Sequence, residues 1–284
     1  MSNIMDLFKT NTEVSEIHFD VEGAKRTYER MKSVQQAIGG TPTIKAKVGS
    51  GGVKLFTIAA GNKEAVIESF SGVIIANHKC NALFPSDSEN LNQPPICSSM
   101  DGVNGINSLT GEICNCESCP HNMFGSSGNG KECKNMHRLY IMTENNAIPV
   151  MLAVPPTSLE LWHNYALMDV AAQGYGIEDV VTEFSLTNTV STNGQKYCLI
   201  NFKMLGTIND EARQFCMAVG SAIETVQKPA ITEGDYNRSE SIPKLTAESV
   251  QPIQFPEQGI TNAIQLNNAD VMSADDEEVD IHDL

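Results

Sequence analysis

Along the first forty residues the apolar positions fall at helical spacing. Ala24, Tyr28, Met31, Val34 and Ile38 recur every three or four residues, and Gly39-Gly40 follows. This predicts a polar leader and then an amphipathic helix over 21–38, with Lys25, Arg26, Arg30 and Lys32 on its solvent face. From 41 the period shortens. Lys54 to Ala60 and Glu68 to His78 are rich in β-branched and aromatic residues and are broken by Gly49, Gly51-Gly52 and Gly61-Asn62, so 41–95 reads as strands ending in a polar loop over 85–95.

Strand character returns in 138–154 and stops at Pro155-Pro156. A helix is predicted from Thr157 to about Gln173. Thr157 and Glu160 have capping-box spacing, Gly174 suits the position just past the end, and Leu159 and Trp162 belong to the core face. Two further runs, 180–190 and 195–205, flank Ser191-Thr192-Asn193-Gly194, a strong hairpin signal. A last amphipathic helix over 209–227 carries Phe215, Val219, Ile223 and Val226 on one stripe. From 228 periodicity is lost. Pro, Ser, Asn, Gln and Glu dominate to the end, which predicts a disordered acidic tail over 228–284.

Between the two strand blocks, 96–137 holds five of the eight cysteines and few apolar residues. Such a segment cannot bury a core of its own and needs a staple. Cys116 and Cys119 form a C-x2-C knuckle, with Cys97 before it and Cys133 after it. These four soft ligands suit a tetrahedral structural zinc ion, Zn2+. Cys114 is a fifth candidate, and His121 or His137 could replace one ligand. The glycines at 102, 105, 111, 125, 128 and 130 suit loops that wrap an ion. Cys80, Cys198 and Cys216 fall in predicted strands or a helix and read as buried thiols. No H-x-E partner accompanies the knuckle, so a catalytic zinc is disfavoured. No nucleophile–base constellation is evident, and the chain reads as non-enzymatic.

Charge alters the picture. The formal net charge is −16 over 284 residues. Residues 228–284 carry three Lys/Arg against twelve Asp/Glu, a net of −9, whereas 40–140 balances at eight against eight. The acidity therefore sits in the tail and does not exclude a polyanionic ligand from the body. Lys131, Lys134, Arg138, Phe124 and Tyr140 surround the cysteines in sequence, and Lys45, Lys47 and Lys54 lie on the early strands. Cations for phosphates with flat rings for bases are the ingredients of sequence-tolerant single-strand binding. Phe56, Phe70, Tyr197 and Phe202 are further stacking candidates. Gly125 to Lys131 fits G-x4-G-K, but Glu132 stands where a nucleotide-binding loop needs Ser or Thr, so this reads as a glycine-rich loop of the insert.

No apolar run is long enough for a membrane span, and Met1 to Asn11 lacks the apolar stretch of an export signal. A cytoplasmic location, with reduced cysteines, is the expectation. The element order predicts a β-rich α+β fold: an OB-like five-stranded barrel over 41–227, with a zinc-binding insert at 96–137, flanking helices and the acidic tail.

The stretches Ile96-Cys-Ser-Ser-Met-Asp-Gly102, Cys116-x-x-Cys119-Pro-His-Asn-Met-Phe124 and Gly130-Lys-Glu-Cys-Lys-Asn135, continuing through Arg138-Leu-Tyr-Ile and Val154-Pro-Pro-Thr-Ser-Leu159, resemble a group of proteins encoded by tailed phages and integrative elements. A looser similarity is to phage and bacterial single-stranded-DNA-binding proteins. That likeness implies an OB fold and an acidic tail tip, here Asp275, Asp276, Glu277, Glu278, Asp280 and Leu284, that recruits replication or recombination proteins. The expected function is single-stranded-DNA binding in phage DNA replication or recombination, in a host cytoplasm and possible as a homo-oligomer. The alternative is a zinc-ribbon protein–protein adaptor or inhibitor of a host enzyme or transcription complex.

Overall fold

In a computed structural model, residues 15–38, 44–60, 62–85, 94–144, 148–225 and 231 are described, and all of them belong to one compact unit, Met1–Pro252. The acidic tip and the predicted tail, apart from Ile231, lie outside the described residues.

Eleven strands form one mixed sheet. They are β1 (Ile44–Val48), β2 (Phe56–Ala60), β3 (Lys63–Ile67), β4 (Phe70–Leu83), β5 (Cys97–Ser99), β6 (Asn104–Asn107), β7 (Ile113–Asn115), β8 (Lys134–Met142), β9 (Val150–Val154), β10 (Val180–Val190) and β11 (Lys196–Thr207). The hydrogen-bonded order runs β3-β2-β1-β9-β8-β4. At the long strand β4 it divides. The C-terminal end of β4 pairs with β5, which leads to β6 and β7, while its N-terminal end pairs with β10, which pairs with β11. Most pairs are antiparallel, but β1 runs parallel to β9.

Among the described residues no ladder joins β11 back to the other end of the sheet, so the expected closed five-stranded barrel is not drawn by the hydrogen bonds. The outer edge of β9 is occupied by β1, and the hairpin β1–β2 with β3 extends the sheet from there. The sheet curls nonetheless. One core contains Ala46 and Phe56 from one wing, Ile74, Leu139 and Leu152 from the middle, and Phe184 and Ile200 from the other wing. Twisted sheets of this size curl because each strand is rotated against the next. Phe70 bridges the wings, stacked on Phe184 at 4.9 Å and edge-on to Phe56 at 5.1 Å. Phe56, Phe70 and Phe202 are therefore packed core residues and not stacking platforms.

The predicted helix after Pro155-Pro156 is present but irregular. A 3-10 turn over Pro156–Ser158 leads into α2 (Leu159–Asn164), then a π-type stretch over Tyr165–Val170 and a 3-10 turn over Ala171–Gln173. Gly174 ends it in the left-handed region at φ 92°. The expected Thr157–Glu160 capping box does not form. The N-cap is Ser158, whose hydroxyl makes no cap bond and instead accepts the Ile200 N–H at 3.0 Å. Tertiary demand wins here: the buried Ile200 amide on β11 needs a partner, and the enclosed Ser158 hydroxyl supplies it. Trp162 and Tyr165 drop into the curled core against Phe202.

α1 (Val21–Ile38) and α3 (Asp210–Thr225) cover the opposite face of the sheet. Asn209 caps α3 by accepting the Ala212 N–H at 2.9 Å. Gly220 sits against the Ile75 carbonyl, where any Cβ would collide with backbone, so glycine lets α3 lie directly on β4. The helices meet through Tyr28 and Phe215, edge-on at 6.1 Å. Lys25 Nζ reaches Glu211 at 2.8 Å; the pair is exposed and screened by solvent, so packing holds the helices. Val34, expected on the core stripe, is 56% exposed. Cys80, Cys198 and Cys216 are buried as thiols. Among the described residues no helix is long and apolar enough to cross a membrane.

Candidate functional site

The insert is organised around sulfur. Cys97 opens β5, Cys114 lies on β7, Cys116 follows it, Cys119 precedes a 3-10 turn at Pro120–Asn122, and Cys133 precedes β8. All five line one cavity, together with Asn81, Leu83, Ser99, His121 and Asn122. Backbone bonds hold the knuckle. The Cys116 N–H donates to Val103 O at 2.8 Å, Asn122 N–H to Cys119 O at 2.9 Å, and Cys133 N–H to His121 O at 2.8 Å. Asn115 Oδ1 accepts from the amides of Glu117 and Ser118, and Asn122 Nδ2 donates to Cys116 O at 2.7 Å.

Period-two alternation explains the arrangement. On β6 and β7, Gly105 and Cys114 face the cavity while Ile106 and Ile113 face out. Gly105 is required there. A Cβ would stand 2.9 Å from the sulfurs of both Cys97 and Cys114 and 3.6 Å from that of Cys116. The inside of the insert is thus thiol and glycine, and its apolar side chains point outward: Ile106, Leu109, Ile113 and Phe124 are 53%, 88%, 73% and 81% exposed.

Cys97 and Cys114 Sγ are 3.7 Å apart. A tetrahedron with Zn–S bonds of about 2.3 Å has an edge of about 3.8 Å. Burial and the neighbouring thiols push the Cys97 thiol up, and burial pushes Cys133 up to about 12. Without a cation, thiolates crowded together in a partly desolvated cavity are unfavourable, so the donor set suits a soft cation. Among the described residues no three His, Cys, Asp or Glu side chains close to the distances of a formed metal centre. What is present is a shared cavity with one sulfur pair at ligand spacing.

His121 lines this cavity, and its Nδ1 lies 2.6 Å from Glu132 Oε2. Glu132 is therefore engaged within the loop, and the segment 125–131 is a tight turn bridged between Ser127 and Gly130. His137 is elsewhere. Its Nε2 meets Asn77 Oδ1 at 2.8 Å, and its ring packs 5.5 Å from that of Trp162. It is not a member of the sulfur cluster.

The cationic and aromatic residues expected to contact DNA separate into three places. Phe124 and Lys131 come together, with Nζ 5.1 Å from the ring centroid, and Lys134 joins them by donating to Lys131 O at 3.1 Å. Lys45 and Lys47 face outward from β1, which β9 separates from β8, and Lys54 is exposed in the β1–β2 connection. Arg138 and Tyr140 are a correction. Arg138 is 0% exposed and Tyr140 is 6% exposed. They alternate with Leu139 on β8 and so point to the sheet face that α1 and α3 cover, where Tyr140 stacks on His78 at 5.7 Å. Neither offers a surface to a strand of DNA.

The structure adds polar residues that the sequence pattern did not single out. Asn135 Nδ2 donates to Asn81 Oδ1 at 2.7 Å and to Asn122 Oδ1 at 2.9 Å, and Lys131 Nζ donates to Asn135 Oδ1 at 3.0 Å. This network fixes the root of the insert to β4 and β8. Its one sequence signal is the polar alternation of Asn77, Lys79 and Asn81 at the end of an apolar run. Compared with protein-family models, curated proteins and solved structures, the chain matches none.

Proposed function

We propose that this protein binds single-stranded DNA, with a zinc ion structuring the insert. The observation that carries the reading is the Phe124–Lys131 pair. A largely exposed ring with an ammonium beside it offers a base a stacking face and a phosphate a counter-charge from one loop. Cys97, Cys116, Cys119 and Cys133 are the proposed ligands, with Cys114 the fifth thiol in the same cavity. The metal would close a loop that buries almost no apolar side chain, and so hold Phe124 in place.

Strand order supports an OB-like core. β4 pairs with β8 and β10, β8 with β9, and β10 with β11, while α2 lies between β9 and β10. These pairings are those expected of an OB-like core, with β1 taking the edge that a barrel closure would use. The likeness to phage single-stranded-DNA-binding proteins belongs to the same reading, as does recruitment of replication or recombination proteins by the acidic tip.

The test is fluorescence anisotropy with oligo-dT over a salt series. Binding that weakens steeply with salt is expected, and Phe124→Ala and Lys131→Ala should each reduce affinity several-fold. Absence of binding at low salt overturns the reading.

A second reading, a protein–protein adaptor, is favoured by one observation. Ile106 and Ile113 are cross-strand neighbours on the exposed face of β6 and β7, and β7 ends its branch of the sheet. Exposed apolar side chains beside a strand edge that no described strand pairs with invite a protein partner. Here Ile113→Lys would abolish partner capture and leave oligo-dT affinity unchanged.

A further inference from the structure

At the end of the β4–β8 ladder the core-facing row turns from apolar to polar. Leu139 is buried in the core, but the next residue on that face of β8 is His137, paired with Lys79 on β4, and beyond them Asn135 pairs with Asn81. His163, one residue after the buried Trp162 on α2, faces the same place, its ring 6.4 Å from that of His137 and edge-on to it. Asn77 on β4 holds His137 Nε2.

The electrostatics of this rim are one-sided. The His137 imidazole is held down at about 4, first by burial and then by His163 and Lys79, and no carboxylate acts in the opposite direction. Lys79 is exposed and makes no hydrogen bond or ion pair with any described residue. Its β-carbon packs by Gly102, next to Asp101. The Asp101 carboxylate is already occupied by the amides of Val103 and Asn104, by Ser99 Oγ and by Asn104 Nδ2, which hold its carboxyl well below the usual range. Among the described residues no carboxylate pairs with Lys79, and a cation so placed attracts an anion.

We propose that Lys79 and His163, with His137 behind them, form a phosphodiester subsite that continues the strand path from Phe124 and Lys131 toward α2. The Lys79–His137 and Asn81–Asn135 rows are two residues apart along β4, about 6.8 Å, which is comparable with the separation of successive phosphates in an extended strand. Lys131, bonded to Asn135, serves one phosphate, and Lys79 with His163 serves the next. This subsite rests on the single-stranded-DNA reading and extends it to residues on the sheet and on α2.

The experiment uses the full chain, zinc-loaded and reduced, with oligo-dT over a salt series. Lys79→Ala should reduce affinity about three- to tenfold at low salt and lower the slope of log affinity against log salt by about 1. His163→Ala should reduce affinity at low salt, by less than Lys79→Ala does. Lys63→Ala and Lys203→Ala, on β3 and β11, serve as controls and should leave the slope unchanged. Inorganic phosphate at millimolar concentration should compete weakly; competition equal to that of the oligonucleotide would mean a free-anion site and overturn the strand path. Wild-type binding with an unaltered slope in Lys79→Ala, the variant being folded by circular dichroism, overturns the subsite alone. No wild-type binding overturns the function instead.

Discussion

Cys97 and Cys114 stand with their sulfurs 3.7 Å apart across the intervening strand β6, although 17 positions separate them in the chain. The approach is possible because the residue between them on β6 is Gly105. Gly105→Ala forces a methyl group into both sulfurs. The expected outcome is a loosened insert: zinc released to a chromophoric chelator at least tenfold faster, with the melting of the sheet body little changed. Unaltered release kinetics would count against a close-packed sulfur cluster.

Zinc content itself separates the five thiols. Purified reduced protein should carry about one zinc per chain by elemental analysis. Cys119→Ser and Cys133→Ser should lose it, while Cys114→Ser keeps it. Retention in Cys119→Ser together with loss in Cys114→Ser would move the ligand set onto the Cys97–Cys114 pair.

Arg138 is a structural residue. Its side chain is fully buried on the helix-covered face, so Arg138→Ala removes both packing and a charged group with its partners. A loss of about 2–4 kcal/mol is expected in urea unfolding. The salt slope of DNA binding should stay as in the wild type, because no phosphate reaches this position.

His137 makes stability depend on pH. Its ordinary value is 6.5 and the folded environment lowers it to about 4. Between those values the unfolded chain takes up a proton that the folded chain refuses, so stability falls as pH is lowered through this window, by up to roughly 1.4 kcal/mol per pH unit. Above pH 6.5 the contribution is complete. Thermal melts from pH 7.5 to pH 4 should show this slope flattened in His137→Asn.

Ser158 supplies the hydroxyl that accepts the Ile200 amide inside the core. Ser158→Ala leaves that amide unsatisfied and should cost about 1–3 kcal/mol. A variant that merely lost a helix cap would instead be rescued by Ser158→Asp. Rescue is not expected here, since a buried carboxylate at a fully enclosed position costs more than the bond restores.

The chain's local patterns carried much of this fold on their own. The helix over 21–38, the hairpin at Asn193-Gly194, the left-handed stop at Gly174 and the buried thiols of Cys80, Cys198 and Cys216 all follow from periodicity and turn chemistry that act over a few residues. That the insert's cysteines face one cavity was likewise legible in a run poor in apolar residues and rich in glycine and cysteine, but the structure brings Cys114 into it beside Cys97, where the sequence favoured Cys116 in its place. What only the tertiary structure decided is which face each strand presents and what covers it. Arg138 and Tyr140 looked like surface groups beside the cysteines, yet alternation on β8 buries both on the other face, Tyr140 in the cluster packed by α1 and α3 and Arg138 against Met100, while Lys79 and His163, 84 positions apart by number, meet at one rim. Sheet closure was equally beyond local pattern, since β1 lies parallel to β9 through a pairing of distant segments. Such choices depend on long-range pairing and on competition for buried area, which no short stretch of sequence encodes.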